Sequence, residues 1–395
     1  MNTFFRAKDI QMTCLIALLV GLIWSTPSIA QPEPAADHPE DWLQLLEGKR
    51  IAVVANQTSR VGEDHLVDFL VANNIQVARV FSPEHGFRGA AAAGEHVTDG
   101  IDQATGLPIV SLYGNHKKPT PEEVLDLDLV LFDIQDVGVR FYTYVSTMTY
   151  VMEACAENGV SFMVLDRPNP HGNLIDGPIL EPEFSSFVGL HPVPIAHGMT
   201  LAEYAGMVKG EGWITDAEKL NLSLIRCHGY THQMQYELPV APSPNLPNQA
   251  SIMLYPSLCL FEGTPVSIGR GTDHPFQVIG APWFMDLGFQ FTPESRPQAP
   301  SPKYEGELCR GVELSSFAED FLHSKGELYI FWLIEAHRHY EEEEPFFTSF
   351  FNLLAGTDKL ADQIAAGLSE EQIRASWAPG LYDFKQTRSR YLLYP

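Results

Sequence analysis

In the stretch FSPEHGFRG an acid and a base stand side by side. Glu84 follows Pro83 and precedes His85 and Gly86, with Phe81 and Phe87 on either flank. A carboxyl held among aromatic rings loses hydration and keeps its proton, which is what a general acid needs to protonate a departing oxygen such as that of a glycosidic bond. The plainer uses of the same residue are a helix start or a salt bridge to Arg88. A second polar group, Asp133, Asp136, Arg140 and Tyr142, lies in FDIQDVGVRFYTY. An aspartate there can orient a substrate hydroxyl, although capping a helix is the commoner job. The planar guanidinium of Arg140 suits an anion or a carboxylate. Arg270 is flanked by Gly269 and Gly271 and followed by Thr272, and glycines let backbone approach a ligand closely. His197 precedes a capping box formed by Thr200 and Glu203, and a place outside the positive end of a helix favours a neutral imidazole.

Several function classes drop out. No G-x-G-x-x-G joins a strand to a helix, and P-loop, HExxH and G-x-S-x-G patterns are absent. The spacing of His85, His96, His171, His197 and His274 fits no known ligand pattern, so neither a metal nor a cofactor is expected. A formal net charge of -25 repels nucleic acid and anionic membranes, and any anionic substrate must be received by a local arginine.

The elements that must position these groups follow an α/β pattern. Apolar runs at Ile51–Val54, Gln76–Phe81, Pro108–Leu112, Leu129–Ile134 and Ser161–Leu165 read as strands of a parallel, Rossmann-like sheet. Leu66, Phe69 and Leu70 repeat at helical spacing, as do Phe141, Tyr144, Val145, Met148, Met152 and Cys155 before an Asn158-Gly159 stop. Each strand is followed by polar residues: Asn56-Gln57-Thr58, Glu84-His85, Asn115-His116, Gln135-Asp136 and Arg167-Pro168-Asn169. In an open parallel sheet, ligands bind outside such carboxyl ends. Helix capping accounts for about half of these residues.

Residues 1–30 have a basic start with Arg6 and Lys8, an apolar run from Met12 to Trp24, and small residues Ser28 and Ala30. They read as a secretory signal, so export to the periplasm or medium is expected. The run is shorter than the roughly 20 residues that span a bilayer, so stable membrane insertion is not expected. Residues 31–41 read as a mobile lead-in, 42–219 as the Rossmann-like domain and 220–395 as a smaller α+β domain. Ser369 with Gln372 caps a short helix near the end. Cys155, Cys227, Cys259 and Cys309 remain once Cys14 leaves with the signal; they read as buried thiols or one structural disulfide.

The segments FSPEHGFRG, TGLPIVSLYG, LVLFDIQDVGVRFYTY, DRPNP, FVGLHPVPIAHGMT, SPNLP, EGTPVSIGRGTDHPF, GAPW and YLLYP span almost all of the chain that would follow the signal. Together they resemble the exo-acting β-N-acetylmuramidases, peptidoglycan hexosaminidases formerly known only as a domain of unknown function. The resemblance implies a cleft between the two domains and release of N-acetylmuramic acid from non-reducing ends of peptidoglycan fragments. Carried over by position, it puts the family's acid on Glu84 and its neighbouring histidine on His85, with Arg140, Asn169, His197 and Arg270 at further motif positions. The sugar's lactyl carboxylate needs a cation, for which Arg140 and Arg270 are the expected clamps. Asp136 and His197 are candidates to polarise the acetamido group. Asn56, Tyr142 and Thr272 complete the expected binding set. Two other readings stay open: a periplasmic muropeptide-binding protein without turnover, and a cell-wall esterase or amidase using Ser82, Ser146 or Ser243.

Overall fold

A computed structural model describes residues 31–88, 99–285, 287–318 and 326–395. The expected signal segment and His96 lie outside the described residues. The central sheet has seven strands: β1 (Arg50–Ala55), β2 (Gln76–Ser82), β3 (Gly100–Ile101), β4 (Pro108–Ser111), β5 (Leu129–Asp133), β6 (Ser161–Leu165) and β7 (Leu222–Ile225). Their order is β7-β6-β5-β1-β2-β4-β3, parallel except for the short antiparallel β3 at one edge. The chain builds outward from β1 to one side, then crosses and builds to the other. The crevice above β1 and β5 is therefore the switch point where ligand sites arise in such sheets.

The central strands β1, β5 and β6 read as continuous apolar runs because both faces are covered. Ile51, Val53, Leu129, Leu131, Met163 and Leu165 face one apolar layer, while Ala52, Val54, Val130, Phe132, Phe162 and Val164 face the other. Full burial of such a side chain contributes about 1.5–3 kcal/mol relative to exposure. The first layer is closed by helix α1 (Leu66–Ala72) through Leu66, Val67 and Leu70. On the second layer lie α2 (Tyr144–Asn158) and α3 (Leu201–Gly210). Gly159 ends α2 at φ 69°, and Thr200 and Glu203 cap α3 reciprocally.

The remainder comprises α4 (Gln249–Leu258), a three-stranded antiparallel sheet of β8 (Val278–Ala281), β9 (Phe289–Phe291) and β10 (Cys309–Glu313), and the helices α5 (Phe331–Arg338), α6 (Ser349–Ala355), α7 (Lys359–Ala365) and α8 (Glu370–Arg388). This is the expected α/β architecture with a smaller α+β portion.

Three expectations change. Residues 32–41 are packed, not mobile: Ala35 and Ala36 are fully buried, and the Trp42 indole N–H donates to the Ala35 carbonyl at 3.1 Å. Apolar alanines hidden among Pro and Asp residues close the first layer of the sheet. The domain boundary at 219/220 would cut off β7, which pairs with β6 in parallel. That strand is only half-buried along its length, so its sequence lacks the apolar run of an interior strand. Finally, α8 runs for 19 residues beyond its Ser369 cap because Ile373, Trp377 and Phe384 bury one face.

Cys155, Cys227, Cys259 and Cys309 are buried free thiols. At the carboxyl end, the Tyr394 hydroxyl donates to Asp166 at 2.6 Å and accepts from the Cys227 N–H at 2.8 Å.

Candidate functional site

The segments that follow three strands, β2, β4 and β5, converge on Glu84. After β2, the chain turns through Pro83-Glu84-His85-Gly86, closed by a Gly86 N–H to Pro83 carbonyl bond of 3.1 Å. His85 at φ 70° and Gly86 at φ 80° both lie in the left-handed region. For a non-glycine residue that costs on the order of 1 kcal/mol, and such strain collects at functional sites. The turn brings the Glu84 carboxyl between two hydroxyls: Tyr113, beyond β4, donates to Oε1 at 2.9 Å, and Thr143, the residue before α2, donates to Oε2 at 3.0 Å.

Glu84 and His85 line an open pocket with Phe141, Tyr142, Thr143, Tyr144, Ser243, Asn245, Leu246, Tyr255, Arg270 and Phe276. Its aromatic surround differs from the expected one. Phe81 and Phe87 belong to the two apolar layers of the sheet, and the rings around Glu84 come from Phe141, Tyr142, Tyr144, Tyr255 and Phe276. Among the described residues, Glu84 is the one carboxyl that lines this pocket.

The far wall reaches the pocket through contacts that strand-end residues make. Gln57 donates to the carbonyls of Ala241 and Pro242 at 3.1 and 3.2 Å, and the Tyr144 hydroxyl also reaches the Pro242 carbonyl at 3.4 Å. These bonds seat Ser243 and Asn245. Arg270 is held by Glu262, whose Oε1 accepts from Nε at 2.6 Å, and its guanidinium lies 5.0 Å from the Phe276 ring centre. The terminal nitrogens of Arg270 take no part in that bond. The loop carrying Glu262 is itself fixed by Lys303, whose ammonium donates to the carbonyls of Phe261, Glu262, Thr264 and Val266 at 2.6–3.3 Å.

Of the residues expected to do chemistry or bind, Glu84, His85, Tyr142 and Arg270 line the pocket. The others have structural employment. Arg140 is fully buried and donates to the carbonyls of Pro178, Val193, Leu354 and Ala355 at 2.6–3.1 Å, joining the sheet domain to α6. It is a rivet, not a carboxylate clamp; burial pushes its guanidinium down to about 9. Asn169 receives the His171 N–H at 2.8 Å and donates to the Met199 carbonyl at 2.9 Å. Thr272 spends its hydroxyl within its own turn, donating to the Gly269 carbonyl at 2.6 Å. Asn56 caps its own turn through two bonds from Thr58 to Oδ1, at 2.8 and 2.6 Å.

Asp136 and His197 do not line the pocket either. Asp136 Oδ1 accepts the Gly138 N–H at 2.6 Å, the capping role, and burial raises its carboxyl to about 7 against the opposing pull of the Gly138 and Val137 N–H groups. His197 is fully buried and edge-on to Tyr204, and its Nδ1 accepts the Met199 N–H at 3.2 Å. Burial first, then Arg388 and Arg140, pushes this imidazole down to about 3 and keeps it neutral.

The serines named for an esterase or amidase are not placed with a base among the described residues. No group of three His, Cys, Asp or Glu side chains is placed to hold a metal. Ser82 and Ser146 have buried hydroxyls without hydrogen-bond partners, and Ser243 Oγ accepts from the Asn245 N–H at 3.3 Å. A serine nucleophile needs a base within reach, and none of these is bonded to a histidine.

The reading from sequence missed Tyr113, Thr143, Asn245, Tyr255, Phe276 and Glu262. Asn245 sits in SPNLP, Tyr113 in TGLPIVSLYG, Thr143 in GVRFYTY, and Glu262 and Phe276 at the two ends of EGTPVSIGRGTDHPF, so each lay in a noted segment without being singled out; Tyr255 carries no such signal.

Comparison with known proteins agrees over almost the whole chain. Residues 51–250 match the profile of the exo-beta-N-acetylmuramidase NamZ N-terminal domain, and residues 253–394 match that of its C-terminal domain. A peptidoglycan beta-N-acetylmuramidase NamZ of Bacillus subtilis is 43% identical over 374 residues, which cover 90% of this chain and 89% of that protein. Two crystal structures of DUF1343 family proteins from Bacteroides fragilis are also similar, each covering 92% of this chain and 99% of theirs. One has a TM-score of 0.86 at 45% identity, the other 0.78 at 28%. On the strength of these full-length matches, the chain belongs to the exo-β-N-acetylmuramidase NamZ family.

Proposed function

We propose that this protein is an exo-acting β-N-acetylmuramidase that removes terminal N-acetylmuramic acid from non-reducing ends of peptidoglycan fragments, with Glu84 as general acid. The single observation that carries the acid assignment is the convergence of the Tyr113 and Thr143 hydroxyls on the Glu84 carboxyl, at 2.9 and 3.0 Å, in a pocket lined by aromatic rings. The two hydroxyls restrict the carboxyl to one orientation, and either can turn to accept from it when it is protonated, so the acid is positioned to give its proton to a glycosidic oxygen. Arg270 takes the lactyl carboxylate, since it is the cation lining the pocket and Glu262 fixes its direction. Charge-assisted bonds from a guanidinium would separate this sugar from N-acetylglucosamine.

Incubation with the disaccharide in which N-acetylmuramic acid is β-1,4-linked to N-acetylglucosamine tests the reading. Release of both free sugars by the native protein, lost in Glu84→Gln, is the expected result. Tight binding without turnover would favour a binding protein instead. Export is part of the proposal, supported by the leader pattern of residues 1–30. Cell fractionation with amino-terminal sequencing of the mature chain checks it.

A further inference from the structure

The pocket contains a polar pair that the acid and the arginine do not use. Asn245 is 2% exposed and lines the pocket, yet its Oδ1 has no hydrogen-bond partner among the described residues. The orientation of its amide is set by chemistry. Nδ2 donates to the Gln298 carbonyl at 3.0 Å, and a carbonyl can only accept, so the open atom must be the oxygen. Tyr142 is in the same position: 7% exposed, lining the pocket, its hydroxyl without a partner among the described residues. Buried polar atoms are nearly always paired, so two orphans on one pocket wall ask for a ligand that supplies both a donor and an acceptor.

Resting on the muramidase reading, we propose that Asn245 and Tyr142 form the acetamido subsite. Asn245 Oδ1 accepts the N–H of the sugar's 2-acetamido group, and the Tyr142 hydroxyl donates to its carbonyl. Of the two substituents that set N-acetylmuramic acid apart from a plain hexose, the amide carries a donor and an acceptor on neighbouring atoms. The lactyl carboxylate has no donor, which leaves it to Arg270. Asp136 and His197, the earlier candidates for this task, do not line the pocket; Asp136 Oδ1 and His197 Nδ1 are bonded within the fold, and their other polar atoms, though without partners among the described residues, lie outside its lining. The division of labour gives each substituent of N-acetylmuramic acid its own recognition: Arg270 reads the lactyl group, Asn245 with Tyr142 the N-acyl group.

The test is a comparison of two ligands by titration calorimetry: N-acetylmuramic acid and its 2-deoxy counterpart, which keeps the lactyl ether but lacks the acetamido group. The native protein should prefer the acetylated sugar, and Asn245→Leu should lower that preference on the order of 10- to 100-fold, since the sugar's buried amide N–H then has no acceptor. Tyr142→Phe removes only an oxygen without a partner, so its fold is secure, and it should lose preference in the same direction even where Asn245→Leu fails to fold. Arg270→Ala should weaken both ligands alike. An unchanged ratio in folded Asn245→Leu or in Tyr142→Phe overturns the subsite. A native protein that cleaves the disaccharide but shows that unchanged ratio loses this inference alone; one that neither cleaves it nor binds either sugar loses the muramidase reading as well.

Discussion

Replacing Glu84 by Gln keeps the shape of the side chain and its contact with the Tyr113 and Thr143 hydroxyls while removing the transferable proton. Sugar release should fall by about 10²–10⁴-fold at unchanged thermal midpoint, the usual contribution of a general acid. Steady-state kinetics beside a melting curve reads both. Arg270→Ala should raise KM for muramic substrates by about 10- to 100-fold and leave N-acetylglucosaminides nearly untouched, because losing a charge-assisted pair costs about 1.5–3 kcal/mol. Glu262→Gln should move KM the same way by less, since the guanidinium keeps a neutral acceptor for the 2.6 Å bond it now makes. If KM for both sugar classes rises equally, Arg270 is not reading the lactyl group.

At the level of elements, Arg140 shows how a residue suited to anion binding is consumed by the joint between substructures. Its four carbonyl partners come from the segments around Pro178 and Val193 and from the end of α6. Gly189 and Gly356 make room for it: a methyl group built on Gly356 would stand 2.5 Å from Nη2. Arg140→Met would leave several buried carbonyls without donors, and each such group costs about 1–3 kcal/mol. A stability loss of about 3 kcal/mol or more is expected in denaturant titrations. The ratio of activities on the two sugar types should not change in the surviving folded protein; a selective loss on the lactyl-bearing sugar would restore Arg140 as a clamp. β1, β5 and β6 were legible because burial on both faces writes a continuous apolar run into the sequence. Half-buried β7 was not, and neither was the packing of residues 32–41, where two alanines do the burying.

Across the whole molecule, charge and protonation make two further outcomes measurable. With a formal net charge of -25, long-range repulsion opposes an anionic substrate, so kcat/KM should rise by up to a few-fold between low salt and about 0.15 M before the local attraction of Arg270 is screened as well. A monotonic fall would mean that the field near the pocket is already positive. Burial raises Asp136 and Asp166 to about 7 from 3.8, so between those values the folded chain holds more protons than the unfolded one, and their contribution to stability falls as pH rises to about 7. His191, pushed down to about 4, and His197, to about 3, act oppositely, gaining stability as pH rises toward 6.5. Asp136→Asn removes one of the losses and keeps an oxygen for the Gly138 N–H. Its stability relative to the native chain should therefore climb between pH 4 and 7 and then level off, as measured by urea midpoints. A difference that stays flat with pH would show that Asp136 titrates alike in both states.

The amino-acid sequence by itself determined the α/β class, the interior strand limits, the capped start of α3 and the place of Glu84. Each of these is written locally, in apolar runs, in a capping box, or in an acid next to a turn that demands left-handed backbone. Only the tertiary structure decided which of the polar residues share a pocket with that acid. Asn245 stands 161 positions from Glu84 and arrives there because Gln57 and Tyr144 hold the carbonyls just before it. Arg140 and Arg270 are the same residue type in similar company, and nothing local tells them apart. One is surrounded by backbone carbonyls at a domain joint and the other by a pocket, a distinction that exists only once distant segments have packed.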